Sequence, residues 1–348
     1  MKLPIQPPFL PMEAKSVGAI PTGPEWQYEP KWDGFRCVAF RDGSAVELQS
    51  KAGQTLTRYF PELVAALLKL KAPKFVLDGE IIMLIDGKLS FDDLLQRIHP
   101  AASRVAKLSQ QHPAQFVLFD LLVNDRGRSL VDEPFVKRRA ALESFASKYI
   151  TGNRAFILSP ATKDTAVARG WLKSMRGQLD GVVAKRLALH YLSGERAMQK
   201  IKTLRTADCV VGGFRYLAGQ KVVGSLLLGL YDSEGLLQHV GFTSSIEAAD
   251  RPALTRKLKA LIEPPGFTGR APGGPSRWNS EKSAEWEPLR PERVCEVKYD
   301  HLQGDRFRHA AIFLRWRLDK PPTDCRYAQL EVTTPFELEK VFGAGRPG

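Results

Sequence analysis

Residues 29–36 read EPKWDGFR, which sets Lys31 between a proline and a tryptophan with Asp33 and Gly34 close behind. A lysine ammonium has a pKa of ~10.4, so near neutral pH only about one in a thousand is a nucleophilic amine. Such a lysine needs neighbours that disfavour its charge, and other cations do so. In AMQKIK (197–202), Lys200 and Lys202 alternate with Ile201, so both face one side of a strand. Two more acidic steps share the Asp33-Gly34 format: Asp78-Gly79 followed by Glu80, and Asp180-Gly181. Asp-Gly is the ordinary hairpin dipeptide. Yet Glu80 stands directly before IIML, and Asp180 lies between Leu179 and Val182-Val183. Two carboxylates at strand edges suit Mg²⁺, which keeps several waters and takes phosphate oxygens as further ligands. A lysine nucleophile, a divalent metal and clustered cations together suit in-line displacement at phosphorus, with a phosphoramidate as product.

A second basic run, RFRHAAIFLRWRLDK, spans 306–320. Leu314, Trp316 and Leu318 alternate with Arg315, Arg317 and Asp319, so the apolar groups are expected to pack behind a cationic face. Such a face could clamp an oligophosphate or a DNA backbone.

These side chains need elements to hold them. The first ~20 residues are proline-rich and read as an extended lead-in. A hairpin is predicted from Trp26 to about Leu48, with CVAF (37–40) and AVEL (45–48) flanking Asp42-Gly43. Helices are predicted over 61–70, 91–98 and 137–145. Strands are predicted over 75–84, broken at Asp78-Gly79, and over 115–123 and 179–185. Past Lys202 come short β-like runs at 209–215, 222–231 and 236–242, a helix at 252–262, a Pro/Gly-rich loop at 263–275, and strands at 293–299 and 312–318. Several short strands with one helix suggest a small Greek-key barrel of the OB type, with the boundary near Leu204.

The 348 residues carry a formal net charge of +13, which predicts a polyanionic partner, nucleic acid first. No apolar run approaches the ~18 residues of a membrane span, and no signal peptide is evident. A cytoplasmic protein with no membrane partner is therefore expected. Cys37, Cys209, Cys295 and Cys325 form no C-x-x-C pair, and the six histidines show no ligand spacing, so neither zinc nor a redox motif is expected.

In KWDG at Lys31, LDGE ending at Glu80, FDLL from Phe119, DGVVAKR from Asp180, KIK at Lys200 and RLDK at Arg317, the chain resembles the covalent nucleotidyltransferase superfamily. It is most similar there to ATP-dependent DNA ligases of the short bacterial ligase C type, from about Trp26 to Lys320. The resemblance implies an α+β fold: a mixed or antiparallel-sheet nucleotidyltransferase (adenylation) domain over 1–203, an OB-fold β-barrel domain over 204–325, and a C-terminal tail over 326–348. It implies that Lys31 attacks the α-phosphate of ATP and carries AMP, with Asp33 positioning the later steps. Glu29 would meet the adenine edge, with Phe119 and Val183 on the two faces of the base. Glu80 would hold the ribose or a metal, and Asp180 a metal, Mg²⁺ or Mn²⁺. Lys200 and Lys202 would hold the α-phosphate, with Lys51 and Arg196 as further nucleotide contacts. Arg317, Asp319 and Lys320 would orient the departing pyrophosphate. Arg36 would sit near the ribose and the nick phosphate, and Lys51, Arg97 and Arg215 would touch DNA.

The implied partner is nicked double-stranded DNA, bound by a monomer; recruiting proteins stay open. Three positions depart from the commoner pattern: Asp180 stands where glutamate is usual, Lys51 where arginine is, and Met198 where tryptophan is. Two rival readings remain. One is a GTP-dependent mRNA-capping guanylyltransferase or RNA ligase of the same superfamily. The other is a basic DNA-binding module without catalysis.

Overall fold

The computed structural model describes residues 1–174, 179–202, 205–273 and 285–330. The boundary residue Leu204, the end of the Pro/Gly-rich loop and the tail past Leu330 lie outside these. The chain divides near residue 204 into two compact units. Among the described residues no helix is long and apolar enough to cross a membrane.

The first unit opens with strands β1 (Ala14–Ser16), β2 (Trp26–Lys31), β3 (Phe35–Asp42) and β4 (Ala45–Ser50), then helix α1 (Pro61–Lys69). Next come β5 (Lys74–Ile82), the short pair β6 (Leu84–Ile85) and β7 (Lys88–Leu89), and helices α2 (Phe91–Leu95) and α3 (Ala102–Gln111). Then follow β8 (Gln115–Val123), α4 (Phe135–Tyr149), β9 (Phe156–Leu158), α5 (Thr165–Ser174), β10 (Gly181–Arg186) and β11 (Met198–Lys202). One sheet has the order β1-β11-β10-β2 and the other β4-β3-β5-β8-β9. Their shared core joins Val38, Phe40, Val76 and Leu122 of the larger sheet to Met198 of the smaller. The outer face of the larger sheet packs Ala39, Leu77 and Leu118 on Leu63 and Leu67 of α1 and Leu142 and Phe145 of α4. Trp26, Tyr28, Val182 and Ala184 pack outward on Ala168 of α5. The strand period of two then turns Gln27, Glu29 and Lys31 to the inner side.

The hairpin about Asp42-Gly43 forms between β3 and β4, with Asp42 opposite Ala45. It does not include Trp26–Lys31, which belongs to the other sheet. β5 runs through Asp78-Gly79 without a break. None of the three Asp-Gly steps is a hairpin turn. Helix α2 stops at Leu95 rather than Ile98, and α4 is longer than predicted. Helices α3 and α5 were not anticipated; α3 buries only Val105, so few apolar side chains mark it.

Arg97 is corrected most sharply. It was expected to touch DNA, but its side chain is 0% exposed. Its two terminal nitrogens donate to the Glu62 carboxylate at 2.8 Å each, and one also donates to the Tyr59 carbonyl at 2.8 Å. The guanidinium lies over the Phe60 ring, 5.0 Å from its centroid. A bidentate acid on α1 satisfies the fork, so the charge is buried rather than offered to a ligand.

The second unit holds β12 (Arg205–Tyr216), β13 (Val223–Tyr231), β14 (Leu237–Thr243), α6 (Arg251–Lys259), β15 (Glu287–Pro288), β16 (Val294–Tyr299), β17 (Leu302–Gln303), β18 (Arg306–Phe307) and β19 (Ile312–Trp316). Its main sheet runs β14-β13-β12-β16-β19, antiparallel throughout, with bulges at Val211/Gly213 and Leu228/Gly229. Bulges raise twist and let a sheet coil. The two edge strands meet where Ala311 N–H donates to the Phe242 carbonyl at 2.9 Å and Thr243 bridges Ala311, which closes a barrel. Val210, Phe214, Leu226, Leu228, Val294 and Val297 belong to the hydrophobic core of this unit. β19 ends at Trp316, so the alternation predicted to Leu318 stops there. Phe313 and Trp316 pack on the core, whereas Leu314 is exposed and Leu318 is 82% exposed.

Replacing Arg97 by alanine leaves Glu62 and the Tyr59 carbonyl without their partner. R97A is expected to lose about 3 kcal/mol of stability in urea unfolding, with DNA affinity unchanged where the variant stays folded. Weaker DNA binding at unaltered stability would restore Arg97 as a DNA contact.

Candidate active site

Strand register assembles the cleft. β10 lies between β2 and β11, and Gly181 stands opposite both Lys31 and Lys202. Two residues on, Val183 stands opposite both Glu29 and Lys200. Side chains two apart share a face, so Glu29, Lys31, Lys200 and Lys202 line up in two rows on the inner side. Gly181 has φ of +136°, and a Cβ there would lie 1.9 Å from the Ile201 carbonyl oxygen. Gly34 is constrained likewise: its Cβ would lie 2.1 Å from the Ile81 carbonyl oxygen, where the loop after Lys31 crosses β5. These glycines permit close approach of backbones, not chain reversal.

Glu29, Lys31, Arg36, Lys51, Glu80, Phe119, Val183 and Lys200 line one cavity of about 190 Å³. Lys31 forms an ion pair with Asp180. Burial depresses the pKa of Lys200, and the charges of Lys31, Lys202 and Lys51 depress it further. Burial pushes the Glu80 carboxyl up to about 7; Lys31 and Arg36 oppose this, and Asp33 and Asp78 add to it. Glu80 is therefore an acid that changes charge near neutral pH.

Arg36 lines the cavity but is committed. Its guanidinium donates to both Asp78 oxygens at 2.6 and 2.7 Å and to the Met12 carbonyl at 3.0 Å. Tyr191 also donates to Asp78, at 2.6 Å. Burial works against the Arg36 charge, but Asp78 outweighs it and holds the pKa above the usual range. A contact from Arg36 to a nick phosphate would need the fork that Asp78 takes here. Its guanidinium lies 4.6 Å from the centroid of Phe119.

The sequence reading missed Lys185. Its ammonium donates to Glu29 at 2.9 Å and to the Phe119 carbonyl at 3.1 Å, with both charged side chains buried. It also sits 4.7 Å from the Phe119 centroid and 4.8 Å from that of Phe135. Arg139 approaches Glu29 at 3.7 Å. The available signal was spacing: Lys185 follows Val183 by two in DGVVAKR, hence shares its face. Glu13 was missed too. It pairs with Lys51 at 2.9 Å and Arg196 at 3.7 Å. Partial burial works against its charge, yet Lys51, Arg196 and Lys200 hold its pKa below the usual carboxylate value. Nothing in the proline-rich lead-in marked it.

In the second unit, Arg317 and Lys320 share Asp208, and Arg317 also pairs with Asp319. Arg215 is half-buried, and burial lowers its pKa.

Among the described residues no group of three His, Cys, Asp or Glu is placed to hold a metal. Asp180 and Glu80 are the acids beside Lys31. Mg²⁺ takes one or two carboxylates and completes its shell with water and phosphate, so this pair fits it.

A model of the ATP dependent DNA ligase domain matches residues 10–202, and a model of the ATP dependent DNA ligase C terminal region matches 219–320. The chain belongs to the ATP-dependent DNA ligases. It is 47% identical to DNA ligase C2 of Mycolicibacterium smegmatis, over 95% of this chain and 96% of that one. It is 46% identical to DNA ligase C of Mycobacterium tuberculosis, over 98% and 99%. In fold it resembles a structure from a structure-function analysis of Lig E DNA ligases, at 16% identity and TM-score 0.55, covering 88% of this chain and 99% of that one. The family likeness thus spans both units, an adenylation-type α+β unit and an OB barrel.

Because burial raises the pKa of Glu80, the folded state favours its protonated form. The stability this contributes is full below the unfolded value of ~4.5 and is lost as pH rises through about 7. Without nucleotide or metal, E80Q is expected to melt a few degrees above the parent at pH 8, the gap closing toward pH 5, by scanning calorimetry. An equal difference at both pH values would overturn this assignment.

Proposed function

We propose that this ligase seals nicks in duplex DNA through AMP carried on Lys31, with residues 1–203 as the adenylation domain and 204–325 as the OB domain. The observation that carries the reading is the register that sets Lys31 and Lys202 on either side of Gly181, and Glu29 and Lys200 on either side of Val183.

Lys31 Nζ attacks the α-phosphorus of ATP. An N–P bond forms, the P–O bond to the β-phosphate breaks, and pyrophosphate leaves. AMP then passes to the 5′-phosphate of the nick, and the 3′-hydroxyl displaces it as the phosphodiester forms. Lys31 pairs with Asp180, and that pair must open before Nζ can attack. Lys200 and Lys202 accept the charge of the α-phosphate. Lys185 pairs with Glu29, whose carboxyl oxygens are acceptors suited to the amino group of adenine. Phe119 and Val183 line the base end. Glu80 and Asp180 would hold Mg²⁺ or Mn²⁺, which supplies positive charge to the phosphoryl oxygens. Arg317, Asp319 and Lys320 orient the leaving pyrophosphate. Asp33, in the loop after Lys31, serves the later steps by positioning.

Incubation with ATP and Mg²⁺ is expected to add one AMP to the peptide containing Lys31, seen by mass spectrometry, with K31A giving no adduct. An adduct that survives K31A would overturn the assignment. A stronger adduct with GTP would favour the capping reading, and nicked-DNA binding without joining would favour the non-catalytic one.

Lys51 and Arg215 remain as contacts to the DNA backbone, and the chain acts as a monomer on nicked duplex. With a net charge of +13, affinity is expected to fall linearly with salt on a double-logarithmic plot. A flat dependence from low to physiological ionic strength would contradict a phosphate grip.

A further inference from the structure

Asp208 lies on β12, far in sequence from the basic residues it holds. Arg317 Nη1 donates to its two carboxylate oxygens at 3.0 and 2.9 Å, and Lys320 Nζ donates to Oδ2 at 2.9 Å. Its side chain is only 14% exposed. Its backbone is pinned as well: the N–H donates to Gln329 Oε1 at 2.8 Å and the carbonyl accepts from Gln329 Nε2 at 3.1 Å. Arg317 is fixed from its own side, where its N–H donates to the Val294 carbonyl at 2.8 Å. Asp319 takes the other edge of the guanidinium, Nε and Nη2, but is 66% exposed.

The two acids are therefore unequal. An exposed pair contributes little and exchanges readily, whereas a largely buried acid that accepts from both Arg317 Nη1 and Lys320 Nζ fixes the two cations relative to each other. Without Asp208, Arg317 and Lys320 would repel each other and lose their common reference point. We infer that Asp208 is the positioning residue that holds Arg317 and Lys320 side by side as one phosphate-binding pair for the pyrophosphate of ATP. This rests on the lysyl-AMP reading above.

That role is specific to one step. Arg317 and Lys320 are needed where pyrophosphate departs, and a nick whose 5′-phosphate already carries AMP needs no pyrophosphate. The experiment compares D208N and D208E with the parent in two assays: Lys31-AMP formation over a range of ATP concentrations, and sealing of a pre-adenylated nick. D208N is expected to slow adduct formation by at least about tenfold while sealing stays within about twofold. D208E, which keeps the charge but moves it by one methylene, is expected to leave a smaller defect, about threefold, confined to adduct formation. A parallel loss in both assays would reduce Asp208 to a structural staple, and unchanged adduct formation would remove it altogether. If D208N does not fold, D208E decides alone: adduct formation equal to the parent's overturns the inference, and a selective defect there supports it. Failure of the lysyl-AMP reading looks different, because the parent itself would then form no adduct.

Discussion

The active cleft depends on one constraint, the register of β10 between β2 and β11. Gly181 must sit opposite Lys31 on one side and Lys202 on the other. Only a residue without a side chain can be there, because the Ile201 carbonyl occupies the space of a Cβ. A slip of one residue would turn Glu29, Lys31, Lys200 and Lys202 away from the cleft and bring Trp26 and Tyr28 in. The packing of those aromatics on α5 therefore locks the catalytic face from behind.

A second constraint is the pairing of clustered cations with acids. Lys31 has Asp180, Lys51 and Arg196 have Glu13, and Arg317 and Lys320 have Asp208. Clustered cations repel one another, and these acids offset that repulsion. The buried pairs differ in purpose. Lys185–Glu29 and Arg36–Asp78 are surrounded by protein, and removing one partner would strand the other. They fix the geometry of one end of the cavity, while the more exposed pairs can give way.

Much of this was legible along the chain. β8 spans the residues its apolar run suggested, and β13 and β14 fall within a residue of their predicted limits. The alternation in KIK placed two lysines on one face, as β11 does. The Asp-Gly steps were less legible. Composition marks them as turns, but their glycines answer to neighbouring carbonyls from β5, β8 and β11 that no local pattern records. Helix α3 was illegible because it buries so little. Leu318 misled because strand alternation was continued past the point where β19 ends.

By itself the sequence singled out Lys31 as the candidate nucleophile and determined the order of the motifs and the faces on which their side chains lie, since order and faces follow from spacing and the two-residue strand period. Only the tertiary structure decided which acid meets which cation. Glu29 and Lys185 are 156 residues apart, and Asp208 and Arg317 are 109 apart. Arg97, an ordinary surface arginine on paper, became a buried tie to Glu62 for the same reason. Charge interactions depend on distance and burial in space, and neither is a local property of the chain.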